Sequence, residues 1–423
     1  MTFAALMTLG GESHAVTLVG RNGIEILSTP RDPLMKQQKI VDPADSMGVG
    51  SFGTSVALSS HGSKALIGGG PFYRETDNPG AAWVFKRVGG RWAEQQKIAP
   101  HDNTGQSQFD CFGCSAALSS NGDTALIGDD YDNTGVGAVW VYTSSGGTWR
   151  EQAKVSPPDH IGTSAFGFSV ALSGDGDTAL IGGSEDSGTR ARGHGVGAVW
   201  VYTRSGGHWI EQQKITPPDH IGNSGFGFSV AISWDGRTAV IGGPRDDFYV
   251  GAAWVYKLSG GRWREVQKLA PHDNAGHSEF GFSVALSATG TTAAIGGVAD
   301  HRVGAVWVYT RPGGRWTEQQ KVTPHDNTGH SHFGSSVALT SDGREALVGG
   351  QFDNNLQGTE WVYTRSGSQW TEQQKLSPHN DTYGQFGYRT AASSDGATVL
   401  IGAPHYDYNH VSRSGAVWFY TAT

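Results

Sequence analysis

The chain has 423 residues, with 63 glycines, 14 tryptophans and a formal net charge of −8. This charge disfavours nucleic acid and anionic membranes as partners, because both attract basic surfaces. Plentiful aromatic residues exclude a disordered chain, and the lack of a three-residue glycine period excludes collagen. No apolar run approaches the roughly 20 residues that span a bilayer, and no signal peptide is visible at the N-terminus.

The first predicted elements are short. Residues 1–33 contain two strand-like segments, Ala15–Gly20 and Gly23–Leu27, and the polar segment Met35–Ile40 follows them. One pattern then repeats seven times at intervals of 53 to 60 residues, each copy opening with Phe-Gly at Phe52, Phe112, Phe166, Phe226, Phe280, Phe333 and Phe386. Self-similarity at this period predicts a propeller or a linear array of repeats.

Each copy predicts four strands. In the third copy, Ser169–Ser173 and Thr178–Gly182 flank the turn dipeptide Asp175-Gly176, which is a strong hairpin signal. The third strand, 198–202, is apolar on both faces, so neighbouring sheets must cover it on both sides. The fourth strand carries Glu-Gln-Gln-Lys and is expected on the outer rim, where charges protect an exposed edge. The repeated lysines of this strand are interpreted as rim charges: Lys39, Lys97, Lys154, Lys214, Lys268, Lys321 and Lys375.

Tryptophan follows the same repeat. Seven tryptophans occupy the third strands and six begin the fourth strands, and only Trp234 lies outside the pattern. Such rings could be stacking platforms for carbohydrate, but regular placement on buried strands favours core packing.

The two ends of the repeat region complement each other. The last copy stops after its third strand, Gly415–Tyr420, while Met35–Ile40 precedes the first copy without a sheet to join. The sequence therefore predicts an all-β, seven-bladed β-propeller of four-stranded antiparallel blades over residues 34–423, closed by the N-terminal strand. Residues 1–33 are then an extension or a degenerate partial blade, which leaves eight blades as the alternative.

The only cysteines, Cys111 and Cys114, bracket one Phe-Gly. A Cys-x-x-Cys pair can indicate redox or metal chemistry. Residues three apart on a strand point to opposite faces, however, so the pair is interpreted as two small buried fillers, and stability is not expected to depend on a disulfide.

The Phe-Gly opening, together with Ile-Gly-Gly-Pro at Ile241–Pro244 and Ile-Gly-Ala-Pro at Ile401–Pro404, resembles FG-GAP repeats. These build the head of integrin α chains and many bacterial surface proteins, so the resemblance implies a propeller and favours a secreted or cell-surface location. Many such repeats hold an Asp-rich calcium loop between the first two strands. Here that position has only a short turn, Ser173–Asp177, so calcium binding is not carried over.

Strand direction places the second-to-third and fourth-to-first loops on one face, called the upper face. These loops are long and variable, and they contain thirteen of the sixteen histidines. Function tends to reside on such loops. The predicted ligand-binding residues are Asp102, Asp132, His160, Asp186, His220, Arg245, Asp246, His272, Asp273, Asp300, His301, His325, Asp326, Asp353, His405 and Asp407.

These residues have a second interpretation. Runs such as Pro100–Asn103 and Pro324–Asn327 have the composition of turns, in which proline fixes φ and Asp bonds the backbone. A residue needed for loop closure in every blade would repeat in the same way. No cofactor is predicted, and a metal ion held by His330 and His332 is the open alternative.

The leading hypothesis is a non-catalytic recognition module that binds a glycan or a protein through the upper-face loops. This hypothesis is based on the repetition of near-equivalent loops, none of which carries an obvious catalytic group. The alternative is a hydrolase or lyase, metal-assisted or not, with its site at the mouth of the central channel. Its candidates are the irregular loops 129–132, 244–249 and 404–408.

Overall fold

In the computed structural model, the described residues are 18–20, 23–25, 34–41, 51–70, 80–101, 111–188, 195–378, 383–406 and 414–422. They form thirty strands, numbered in chain order, and few helical turns. β1 (Leu18–Gly20) and β2 (Gly23–Glu25) pair in a two-stranded sheet that is separate from the four-stranded sheets. The other strands form seven four-stranded antiparallel sheets, as predicted.

The blades are numbered from the first Phe-Gly, and their strands are given from the centre outwards. Blades 1 to 3 are β4 to β7 (Ser55–Leu58, Lys64–Gly69, Ala81–Val88, Arg91–Ile98), β8 to β11 (Ser115–Leu118, Thr124–Asp129, Ala138–Ser145, Thr148–Val155) and β12 to β15 (Phe166–Leu172, Thr178–Gly183, Ala198–Ser205, His208–Ile215).

The remaining blades follow the same order. Blades 4 to 7 are β16 to β19 (Ser229–Ile232, Thr238–Gly243, Ala252–Ser259, Arg262–Leu269), β20 to β23 (Ser283–Leu286, Thr292–Gly297, Ala305–Thr310, Thr317–Val322), β24 to β27 (Phe333–Leu339, Glu345–Gly350, Thr359–Ser366, Gln369–Leu376), and β28 to β30 (Arg389–Ala392, Thr398–Ala403, Ala416–Ala422) with β3 (Leu34–Val41). Short helical turns lie at α1 (Asp132–Gly135), α2 (Asp246–Tyr249) and α3 (Asp353–Leu356), with 3₁₀ turns at Asp300–Arg302 and Pro312–Gly314.

Two rings of backbone contacts close the circle. On the lower face, the first-to-second turns are joined by seven hydrogen bonds, each N–H donating to the next blade's carbonyl, and the ring runs through Ser60, Ser120, Gly174, Trp234, Ala288, Ser341 and Ser394. On the upper face, each Phe of a Phe-Gly forms a parallel bridge with the glycine before the preceding blade's third strand, as in Gly197 with Phe226. Closure is thus complete at both ends of the first strands.

The core lies between blades rather than inside them. Seven apolar clusters are each shared by two neighbouring blades. In each blade the Phe of Phe-Gly packs edge-on against the third-strand Trp, with centroids 5.2 Å apart for Phe226 and Trp254. A Cβ on Gly182 would overlap the carbonyl oxygen of Gly227 in the next blade. The repeated glycines therefore permit the close approach of adjacent blades.

Glutamine side chains clamp the outer strands together. Gln213 donates to the carbonyl of Trp263 (3.1 Å) and accepts from its N–H (2.9 Å), joining blades 3 and 4. The same two bonds join Gln38–Trp92, Gln96–Trp149, Gln267–Trp316 and Gln320–Trp370. In blade 2 the position holds Ala153, and the facing Trp209 of blade 3 is more exposed than these other tryptophans.

The seam between the chain ends has its own contacts. β3 pairs with β30 and completes blade 7, as predicted. Phe419 stands where the other blades have valine, and its ring stacks on Trp92 of blade 1 at 4.3 Å. The Nζ of Lys39 lies 3.6 Å from the ring centre of Tyr406. Aromatic contacts therefore reinforce the one junction that is not covalently continuous.

Candidate functional site

The upper face gathers the predicted loops. Asp102 and Asp407 lie outside the described residues, as do His194, His379 and His410. The other ten upper-face histidines are found in the second-to-third or fourth-to-first loops: His101, His160, His220, His272, His277, His301, His325, His330, His332 and His405.

The repeated Asp after the second strand is buried. One carboxylate oxygen of Asp186 accepts from the N–H of Ile161 (2.8 Å), and the other lies 3.0 Å from the Nζ of Lys214. The same loop-to-lysine arrangement recurs in blades 2, 4, 5 and 6, with nitrogen–oxygen distances of 2.8 to 3.3 Å, for Asp132–Lys154, Asp246–Lys268, Asp300–Lys321 and Asp353–Lys375. These carboxylates hold the loops in place. Their repetition in the sequence is therefore explained by loop closure, the second interpretation given above.

The interpretation of the lysines as rim charges is wrong for these blades. Each ammonium turns inward over the third-strand Trp, with Lys214 Nζ 4.8 Å from the ring centre of Trp200. It also donates to the carbonyl of Asp159 at 2.8 Å. The long aliphatic stem makes this inward reach compatible with a position on an outer strand.

A second set of aspartates binds the tryptophans. The indole N–H of Trp307 donates to Asp273 (2.8 Å), and that of Trp361 donates to Asp326 (2.8 Å). Asp159 and Asp219 accept from Trp200 and Trp254 in the same way. A buried indole N–H needs an acceptor, so this aspartate completes the packing of the ring.

The histidines are the more accessible part of the predicted set. The Nδ1 atoms of His160 and His220 each lie 2.8 Å from a glycine carbonyl two residues on, and His272, His301 and His325 are exposed. His330 Nδ1 contacts the carbonyl of Arg302, while the His332 ring packs on Phe352. Burial, with a smaller effect of His330, lowers the pKa of His332. Within the described residues, no cluster of three or more metal-ligating side chains occurs.

Arg245 lies in a charged group that the sequence analysis did not assemble. Its guanidinium donates to Glu185 of blade 3 (2.8 Å) and lies 6.0 Å from the Phe228 ring. Burial raises the pKa of Glu279, and Arg245 partly opposes this shift. Burial also raises the pKa of Asp130 to about 6, with a smaller contribution from Glu185. The available signal was that the four charged residues, Asp130, Glu185, Arg245 and Glu279, each differ from the residues at the same position in the other copies.

Beneath this group lies an apolar arc. The half-buried rings of Phe168, Phe228 and Phe282 follow the Phe-Gly of blades 3, 4 and 5, with centroids 4.9 and 5.0 Å apart. Blades 6, 7, 1 and 2 have Ser335, Tyr388, Thr54 and Cys114 at this position. The channel mouth is therefore apolar on one side and mostly small or polar on the other.

Backbone strain concentrates on the upper face. All described residues other than glycine with positive φ lie in its loops, including the consecutive left-handed residues Asp247, Phe248 and Tyr249. Similar turns occur at Asn133–Thr134, His301–Arg302 and Asn354–Leu356. The left-handed conformation costs about 1–2 kcal/mol for each such residue. Strain of this kind tends to cluster at functional sites.

The side chains at these turns project into solvent. Phe248 is 73% exposed, and Tyr131, Tyr249, Leu356 and Tyr383 are also exposed large apolar residues of the upper face. Ile161 and Ile221 join them in blades 3 and 4. Exposed apolar groups held on strained loops favour contact with another molecule.

The interpretation of Cys111 and Cys114 as separate fillers is wrong. The structure joins them in a disulfide, with Cα atoms 5.4 Å apart. Residues 111–114 form a turn rather than a strand, with φ of +101° at Gly113, so the two side chains come to the same side. Strand alternation, on which the prediction depended, does not apply there.

The sequence model of the FG-GAP repeat family matches residues 149–202, 209–256, 263–309 and 316–368. Each match begins at a fourth-strand Trp and runs at least to the third strand of the next blade. The chain is an FG-GAP repeat β-propeller protein. No curated protein matches it. Among the described residues of this FG-GAP propeller, no helix is long and apolar enough to cross a membrane.

Proposed function

We propose that this FG-GAP propeller is a recognition module that holds a protein ligand on its upper face. The main observation that supports this proposal is the concentration of left-handed, non-glycine residues in the upper loops. The corresponding lower-face turns use glycine instead, as at Gly62, Gly122 and Gly176. The upper loops thus keep side chains at positions where glycine would be less strained, and a ligand contact explains why.

The chemistry of the turns favours a protein over a glycan. Thr134, Phe248, Arg302 and Asn355 occupy left-handed positions in four blades, all exposed, yet they share no chemical character. A repeating polymer would suit identical side chains at each blade, whereas an irregular protein surface suits different ones. Aromatic residues and arginine are also the usual energetic centres of protein interfaces.

The buried aspartates have a supporting role in this proposal. Asp186, Asp246 and Asp300 fix the loops through lysines and backbone N–H groups, so they set the position of the exposed tips. The exposed members of the predicted set, such as His272, His301 and His325, remain candidates for direct contact.

A displayed random-peptide library and a glycan array, each probed with the intact protein, test the proposal. We expect enriched peptides, with binding weakened at least about tenfold by Phe248→Ala, since central aromatic contacts contribute 2 kcal/mol or more. Val88→Ser is the matched control, because Val88 is an exposed apolar residue on the lower face. Binding to glycans alone, or loss on Val88→Ser but not on Phe248→Ala, would contradict it.

A further inference from the structure

One copy of the repeat carries chemistry that the other six lack. Cys111 and Cys114 flank Phe112-Gly113 at the start of blade 2, and their sulfur atoms are joined. The equivalent pairs contain no cysteine: Ser51 and Thr54, Ala165 and Phe168, Gly225 and Phe228, Glu279 and Phe282, His332 and Ser335, Gln385 and Tyr388.

The same turn forms in all seven copies. In blade 2 the N–H of Cys114 donates to the carbonyl of Cys111 at 2.9 Å. The corresponding bonds of the cysteine-free copies measure 3.0 to 3.2 Å, as in Phe228 to Gly225 and Thr54 to Ser51. The disulfide is therefore not needed to form the turn. Its entropic stabilisation is also small, because it closes a loop of only four residues.

The two sulfurs have different surroundings. Cys114 occupies the half-buried position at the channel mouth that Phe168 and Phe228 hold in other blades. Cys111 is 8% exposed, and a Cβ on Gly70 of blade 1 would lie 2.6 Å from its Sγ. The Asp129 carboxylate accepts from the N–H of Cys111 at 3.0 Å. Cys114 is thus the sulfur open to attack, and Cys111 is the leaving sulfur.

We propose that Cys111–Cys114 is a thiol–disulfide exchange site at the upper mouth of the channel, with a thiol as its reactant. A thiolate attacks Cys114 Sγ, the S–S bond breaks, and its electron pair goes to Cys111. The thiolate released at Cys111 takes up a proton from water. A second thiol then attacks the sulfur that the first thiol contributed and releases Cys114 as a thiol. In sum, two external thiols are oxidised to one disulfide, and the protein pair is reduced by two electrons.

The test exposes the native 423-residue chain to buffers of increasing reduced-to-oxidised glutathione ratio. Thiols are trapped with a maleimide polymer and counted by gel shift, while circular dichroism and tryptophan fluorescence follow the fold. We expect both thiols to appear together and reversibly, with unchanged spectra. A pair that stays oxidised until the protein unfolds, or whose reduction unfolds the blade, would overturn the proposal.

Variants copied from blade 1 make the test independent of folding. Cys111→Ser with Cys114→Thr reproduces the Ser51 and Thr54 pair and should keep the fold without any reaction. Cys111→Ser alone leaves Cys114, which should form a mixed disulfide with oxidised glutathione. Cys114→Thr leaves the buried Cys111, which should react at least about tenfold more slowly. If the two single variants form the mixed disulfide at equal rates, or if Cys111 reacts faster, Cys114 is not the sulfur that is attacked and the proposal is wrong.

Discussion

The ammonium nitrogen of Lys214 lies 3.0 Å from a carboxylate oxygen of the fully buried Asp186. The two residues belong to an outer strand and an upper loop, so this ion pair joins the rim of blade 3 to its upper face. Lys214→Met leaves the carboxylate buried without its cation, and we expect the free energy of unfolding to fall by about 3–5 kcal/mol. Urea unfolding measures the change, and Lys86→Met, at an exposed lysine, is the control. Equal effects of the two substitutions would contradict the structural role of the pair.

The glutamine clamp predicts opposite effects at two junctions. Gln213→Ala removes both bonds to Trp263 and should lower stability by about 1–3 kcal/mol, because buried main-chain groups lose their partners. Ala153→Gln supplies the missing clamp between blades 2 and 3 and should raise stability while shielding Trp209. Thermal unfolding and the fluorescence maximum of the tryptophans check both. If Ala153→Gln lowers stability, the junction between blades 2 and 3 has no room for the glutamine side chain.

Glu360 gives the propeller a pH dependence. It is buried at a third-strand position where most blades have valine, and burial raises its pKa well above the usual 4.5. Above the usual pKa the unfolded chain releases this proton while the native protein keeps it, so stability falls as pH rises towards the native pKa.

The neutral variant Glu360→Gln removes that loss. Its stability relative to the natural protein should rise with pH, by at most about 1.4 kcal/mol per pH unit. Urea unfolding at about pH 5 and about pH 8 measures the trend, with exposed Glu94→Gln as control. An advantage of Glu360→Gln that is equal at both pH values would show that ionisation is not involved.

Strain at the upper loops predicts that glycine there stabilises the fold, while loss of the side chain weakens ligand binding. Phe248 has φ of +53°, so Phe248→Gly should stabilise the protein by about 1 kcal/mol relative to Phe248→Ala. Both variants remove the exposed ring and should weaken the peptide binding proposed above. Differential scanning calorimetry compares the two. If alanine is as stable as glycine, the turn is not strained in solution.

The closing strand predicts complementation. Removal of residues 1–41 leaves blade 7 with three strands and exposes the outer edge of β30, including Phe419. We expect unfolding at lower denaturant and self-association through the open edge. A synthetic peptide of residues 34–41 should reverse both effects, as seen by size-exclusion chromatography. An unaltered unfolding midpoint without β3 would show that the seam adds no stability.

Much of the fold could be predicted because its signals are local and repeated. The Asp175-Gly176 turn, the third strand 198–202 and the Phe-Gly spacing each depend on a few neighbouring residues, and seven copies reinforce one another. The closure of the ring could also be predicted, because β3 and the three-stranded last copy each lack a partner that the other supplies.

The site was less predictable because its contacts join residues far apart in sequence. The sequence predicted Asp186 as a ligand-binding loop residue and Lys214 as a rim charge. In the structure the Nζ of Lys214 lies 3.0 Å from a carboxylate oxygen of Asp186. The group of Glu185, Arg245 and Glu279 comes from three blades, and no single loop contains it. Sequence alone determined the ring of blades, through periodic turns and apolar strands. Only the tertiary structure decided which charges are buried partners and which side chains remain open, because burial and pairing depend on distances that the linear order of residues does not specify.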